Sequence, residues 1–227
     1  MLTNFLSYIN SSDRRVGQTP GVVYMVGASF EFSGTNYLCE GPILSHWLTM
    51  YLAQKGFILV TDGKAGFGPD DFTSRIDTEV AGRASVPITD KIDACIIALT
   101  GFVLTDTSFT NLNKLVALVP KLKTISDTVI ALDYPPIEDR NIPFLLETLG
   151  VNQNWWDNTW RPQYRTAMQN AGAVIINAHY DWEPNNLMGH PGLPPGVPDW
   201  HITSVSARRA AKRIFNYLMS NTSLSTK

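Results

Sequence analysis

The chain has few cysteines, no long apolar run and no surplus of either charge. Two cysteines, Cys39 and Cys95, in 227 residues are too few for a disulfide framework. Each stands in an apolar setting where a buried free thiol is expected, with a single bridge left open. No stretch approaches the roughly 20 apolar residues of a membrane span. The opening Met1-Leu2-Thr3-Asn4-Phe5-Leu6 lacks the basic start and apolar core of a secretion signal, so a soluble protein is expected. Eighteen Lys and Arg against twenty Asp and Glu give a formal charge of −2. With no long run of one sign, there is no footprint for nucleic acid or an anionic membrane. The turn Asp62-Gly63-Lys64-Ala65-Gly66-Phe67-Gly68 is rich in glycine. It lacks both the G-K-[ST] ending of a P-loop and the G-x-G-x-x-G order of a dinucleotide fold. Internal repeats, linkers and low-complexity tracts are also missing.

A hydrophobic content of 44% is enough for one sizeable core, and the expected organisation is a single domain over residues 21–220. Residues 1–20 would be an arm and 221–227 a tail. Val22-Val23-Tyr24-Met25-Val26 reads as a strand buried on both faces, the kind found inside a parallel sheet. Further buried strands are expected at 57–60, 92–99, 129–132 and within 172–177. Helices are expected from Pro42 to a stop at Gly56, over 70–82, from Phe109 until Pro120 ends or kinks it, and over 204–219. In the last helix Val205, Ala211, Ile214, Phe215 and Leu218 should face inward. Strands and helices alternate throughout, which predicts a three-layer α/β/α sandwich with a mainly parallel sheet of about five strands and flavodoxin-like topology.

Three stretches carry candidate chemistry. Gly27-Ala28-Ser29-Phe30 breaks the first strand with small residues at its carboxyl end, where open α/β sheets place their ligands. Ser29 is open to two readings, a turn or capping residue and a nucleophile, and a base from elsewhere decides between them. Pro198-Asp199-Trp200-His201-Ile202-Thr203 supplies an acid and an imidazole together, on what reads as a proline- and glycine-rich loop before the last helix. An insertion at about 139–162 holds Trp155, Trp156 and Trp160 among Asn152, Gln153, Asn154 and Asn158. These indoles either pack the excursion onto the domain or offer flat faces to sugar rings while the amides bind hydroxyls.

Gly27-Ala28-Ser29-Phe30, Gly63-Lys64-Ala65-Gly66 with Arg75, and Asp199-Trp200-His201 resemble the ordered blocks of the SGNH/GDSL hydrolases. The resemblance runs from Val22 to Leu218. It implies a carboxylic ester hydrolase without metal or organic cofactor, acting on a small-molecule or carbohydrate ester, with acetylated carbohydrate as the expected class. Ser29 would be the nucleophile, His201 the base and Asp199 its orienting acid, and the Ser29 and Gly66 amides would bind the oxyanion.

Three departures from the family pattern stand out. Ala28 replaces an aspartate of the first block. The third block, usually Gly-x-Asn-Asp, reads Leu99-Thr100-Gly101-Phe102-Val103 and lacks its asparagine donor. Asp199 stands two rather than three positions before His201. The Thr100 or Thr105 hydroxyl or the Asn36 amide could stand in for the donor, and Asp181 or Glu183 for the acid. A non-catalytic carbohydrate-binding or structural module on the same fold is the alternative function, and a flavin binder is a third.

Overall fold

The structure is a computed structural model describing residues 20–28, 43–64, 66–85, 92–137, 146–147, 149–178, 187–189 and 198–226. Strand β1 (Val22–Gly27) takes an interior position in the sheet, as its unbroken apolar run implies. It is flanked in parallel by β2 (Ile58–Gly63) and β3 (Ala94–Ile97), followed outward by β4 (Val129–Leu132) and β5 (Val174–Ile176). The order β2-β1-β3-β4-β5 is the flavodoxin-like order of doubly wound sheets. Five parallel strands with helices around them are the expected α/β/α fold.

The helices form where apolar residues recur at helical spacing. In α1 (Leu44–Ala53) Leu44, Leu48 and Leu52 are buried four residues apart, each worth about 1.5–3 kcal/mol when fully removed from water. Gly56, with φ 76°, ends the segment in the left-handed conformation that glycine adopts most easily. Helix α2 (Pro69–Ser85) starts with proline and carries Asp70 and Asp71 in its first turn, where the helix dipole favours negative charge. The Gly68 N–H donates to Asp71 Oδ2 at 2.8 Å and closes that end. Helices α3 (Thr110–Lys123), α4 (Arg161–Asn170) and α5 (Ser204–Asn221) are the other long helices among the described residues. Helix α1 packs with α5, whereas α3 packs with both α2 and α4, giving the two groups that the outer layers need.

The last turn of the chain, Ser223–Thr226, returns to the start of β1. Asp93 binds both segments, accepting from Val22 N–H at 2.8 Å and from Ser223 Oγ at 2.7 Å. A Cβ on Gly21 would come 2.3 Å from Leu224 Cδ2 and 2.8 Å from Phe57 Cδ1, so a side chain there would have to push both aside.

Several expectations need correction. Strand β2 is an edge strand, half-exposed rather than buried, with Ile58 41% exposed. Helix α3 continues through Pro120, because Leu112, Leu115, Leu118, Val119 and Leu122 anchor both sides while the proline ring lies on the exposed face. Val205 is exposed. The stretch Pro198–Ile202 is a strand, β7, paired antiparallel with β6 (Leu187–Gly189); proline is tolerated at a strand's first position. Cys95 is buried and free, whereas Cys39, the arm 1–19 and most of the segment 138–148 lie outside the described residues.

Candidate functional site

Strands β1, β2 and β3 end together, with Gly27 opposite Gly63 and Val26 opposite Ile97. Their carboxyl edge at the β1/β3 boundary is the switch point where doubly wound sheets bind ligands. Ala28 continues β1 across it, donating its N–H to the Leu99 carbonyl at 3.3 Å. Ser29, the next residue, lies outside the described residues, as do Asn36, Asp181 and Glu183.

The loop after β2 forms a tight turn. Phe67 N–H donates to the Lys64 carbonyl at 3.1 Å, and Gly66 has φ 84°, the value the third position of a type II turn demands. A Cβ on Gly66 would meet nothing within 4 Å, so its glycine answers to backbone conformation, not crowding. Arg75 lies 5.4 Å above the Phe67 ring and 3.6 Å from Asp62. Partial burial raises the Asp62 carboxyl above its usual range, Arg75 opposes that shift, and Glu79 adds to it.

Thr100 joins this turn to the end of β3. It is fully buried, and its Oγ1 donates to the Phe67 carbonyl at 2.8 Å while accepting a long bond from Phe102 N–H at 3.4 Å. Its hydroxyl hydrogen is therefore committed, which removes Thr100 as a replacement for the asparagine donor. Phe102 is 55% exposed on a short helical turn, Gly101–Val103, with its ring 3.4 Å from where a Gly68 Cβ would stand.

Behind Thr100 is Tyr134, two residues past the end of β4. Its hydroxyl accepts from Thr100 N–H at 2.9 Å and donates to the Thr100 carbonyl at 3.2 Å. Three rings meet Tyr134 edge-on: Trp156 at 5.6 Å, Trp160 at 5.2 Å and Tyr164 at 5.1 Å. Trp156 and Trp160 have no exposed surface. They sit on a π-helical turn, Trp156–Trp160, that runs into α4, and cannot present faces to a sugar. Of the three tryptophans named from the sequence, only Trp155 keeps exposed surface, beside Phe109 at 6.3 Å. Phe109 is the non-glycine residue with positive φ (56°) among the described residues, a conformation costing about 1–3 kcal/mol where neighbours enforce it.

A buried charge cluster braces the same region. Arg161 Nε donates to the Tyr134 carbonyl at 2.6 Å, and its guanidinium lies 3.5 Å from Asp157 and 4.0 Å from Asp133. Asp133 takes a bidentate pair from Arg165, and Asp157 accepts from Ile137 N–H at 2.9 Å. Burial lowers the Arg161 pKa against the pull of Asp133, whereas the hydrogen bond to Asp133 raises that of Arg165. No single-residue signal announces this cluster. An Arg161 and Arg165 pair one helical turn apart beside aromatic residues reads equally well as a solvated face.

His201 is buried, at 6% exposure, on β7 three residues before the start of α5. Thr203 caps α5 by accepting from Ser206 N–H, and Trp47 Nε1 donates to Ser204 Oγ at 3.4 Å, tying that start to α1. Asp199 shares strand β7 with His201. Among the described residues no group of three or more His, Cys, Asp or Glu is placed to hold a metal ion, and no helix is long and apolar enough to cross a membrane.

No protein-family model and no curated protein sequence matches the chain. Solved structures do. A member of the lipolytic G-D-S-L family from Veillonella parvula aligns with TM-score 0.61 at 13% identity, covering 88% of this chain and 98% of that one. A psychrotrophic esterase from a Pseudoalteromonas species aligns with TM-score 0.59 at 12% identity, over 86% and 95% of the two chains. For an acetylxylan esterase from Geobacillus stearothermophilus the values are 0.57, 13%, 87% and 94%. The chain thus has the fold of the SGNH/GDSL hydrolases, in agreement with its sequence blocks.

Proposed function

We propose that the protein is a serine carboxylic-ester hydrolase whose substrate is an acyl ester, most simply an acetyl ester on a carbohydrate. The observation that carries this reading is the meeting of three blocks at the switch point: Ala28 bonds to Leu99, and the adjoining Thr100 bonds to Phe67 beside Gly66. Ser29 Oγ would attack the ester carbonyl as His201 accepts its proton. The carbonyl oxygen, now negative, would take hydrogen bonds from the Ser29 and Gly66 amides. Expulsion of the alcohol, protonated by His201, leaves an acyl-serine that water hydrolyses with His201 again as base.

Asp199 is the acid proposed to orient His201. Two-residue spacing is the repeat of one face of a strand, which suits an Asp-x-His pair on β7 as three-residue spacing would not. The carbohydrate reading is supported by the likeness to an acetylxylan esterase and by the partly exposed Trp155. Phe102, which offers no donor where the family has asparagine, is the one observation favouring a non-catalytic carbohydrate-binding module instead. Hydrolysis of p-nitrophenyl acetate by wild type and not by Ser29→Ala supports the esterase; equal rates for the two reject it.

A further inference from the structure

We infer that Thr100 is a positioning residue for the proposed oxyanion site, held by Tyr134 and holding the Gly66 turn. The inference rests on the esterase reading and adds to the residues already named Thr100, which lies within the third block, and Tyr134, which lies in none.

The Gly66 turn needs an outside tie. A glycine at φ 84° has access to many other conformations, and an amide that stabilises developing charge contributes in proportion to how firmly its direction is set beforehand. Within the loop, only the bond from Phe67 N–H to the Lys64 carbonyl closes the turn among the described contacts. The bond at 2.8 Å from Thr100 Oγ1 to the Phe67 carbonyl fixes the other side of the same residue. Phe67 is thereby gripped at both its N–H and its carbonyl, directly after Gly66.

Thr100 can act as an anchor because its own backbone is immobilised. Tyr134 engages both its N–H and its carbonyl through one hydroxyl. That hydroxyl is aimed by the rings of Trp156, Trp160 and Tyr164 and by the Arg161 bond to the Tyr134 carbonyl. The tryptophan-rich segment therefore serves the site from behind, as the rigid wall at the end of a short line of hydrogen bonds. Misplacement of a reacting group by about 1 Å can cost around 10²-fold in rate, so a loosened turn should appear in kcat before KM.

The test uses Thr100→Val, which keeps the shape and removes the hydroxyl, Thr100→Ser, which restores it, and Tyr134→Phe. Thr222→Val is the control, since it deletes a comparable buried bond, Thr222 Oγ1 to the Leu218 carbonyl at 2.7 Å, away from Thr100 and Tyr134. With p-nitrophenyl acetate, Thr100→Val and Tyr134→Phe are expected to lower kcat about tenfold or more with KM within about twofold. Thr100→Ser should recover most of the loss. Backbone amide exchange in the segment 64–68 should quicken in Thr100→Val and not in Thr222→Val, even where the two lower Tm equally. Unchanged exchange in Thr100→Val overturns the inference, as does an equal kcat loss in Thr222→Val. Wild type no faster than Ser29→Ala would reject the esterase reading instead, and the exchange arm would still decide whether Thr100 holds the turn.

Discussion

The indole planes of Trp156 and Trp160 lie 4° from parallel with their centroids 4.6 Å apart, and Tyr164 extends the stack at 5.3 Å and 10°. Positions 156, 160 and 164 are successive members of one i, i+4 row, so one helix face carries a column of three rings against Tyr134. This geometry separates the three tryptophans. Trp160→Ala should cost about 3–5 kcal/mol of stability, read by urea denaturation. Trp155→Ala should leave stability within about 1 kcal/mol while raising KM for an acetylated oligosaccharide about tenfold and sparing p-nitrophenyl acetate. Equal stability losses for both would show Trp155 to be core as well.

Phe102 stands where an asparagine donor would complete the proposed oxyanion site, and Thr100 cannot replace it. Because the Phe102 ring is 55% exposed, its removal leaves little void. Phe102→Asn is therefore expected to raise kcat for p-nitrophenyl acetate about tenfold or more with little change in KM, since one such donor is worth about 2.7–4 kcal/mol in the transition state. An unchanged kcat would assign the missing donor to Asn36 or Thr105.

Asp133 is buried with Arg165 and Arg161 around it. Asp133→Ala strands the buried Arg161 beside a single carboxylate and should destabilise by about 3–5 kcal/mol. Asp70→Ala, which removes the exposed pair with Lys114 and one of two acidic charges in the first turn of α2, should cost about 1 kcal/mol. Chemical denaturation of the two variants measures the difference, and similar losses would contradict the bracing role of the cluster.

The Tyr24 hydroxyl is buried without a hydrogen-bond partner among the described residues. Burial, aided by the Asp62 and Glu79 carboxylates, holds its pKa well above the usual phenol value, and burial pushes the Cys95 thiol up to about 12. Both shifts are upward, so folding favours the neutral forms. Their contribution is complete below the ordinary thiol and phenol values and is lost as pH rises toward the raised ones. Stability should therefore fall steeply above about pH 9. Tyr24→Phe should gain about 1 kcal/mol at pH 7 and flatten that alkaline slope in thermal unfolding. A lower Tm at pH 7 would show the hydroxyl to be satisfied.

The interior of the sheet was legible because β1 is an unbroken apolar run up to Gly27, a pattern that burial on both faces explains. The edges were not. Ile58-Leu59-Val60 is as apolar as β3, yet among the described residues β2 has a neighbour on one side only, a property of strand order and not of local composition. Val205 fails for a plainer reason: it stands six residues before Ala211, about 240° round the helix, whereas Ala207, Ala211, Ile214 and Leu218 share one face. The candidate site was legible in its glycines and polar blocks. Thr100 and Tyr134 were not, because a bond spanning 34 residues leaves no periodic trace. The tryptophans looked like a surface because amides surround them, but Asn152 caps the Trp155 amide and Asn154 pairs with Asn158, so those amides are occupied by their own helix.

The packing of Leu224 on Gly21 makes the core depend on the segment after α5. Asp93 holds the Val22 amide and Ser223 Oγ together, and Leu224 covers Gly21 beside Phe57. A variant cut back to residue 222 would keep all five strands of the parallel sheet and still have an open seam along β1, so its sheet amides should exchange with solvent faster than those of the longer chain.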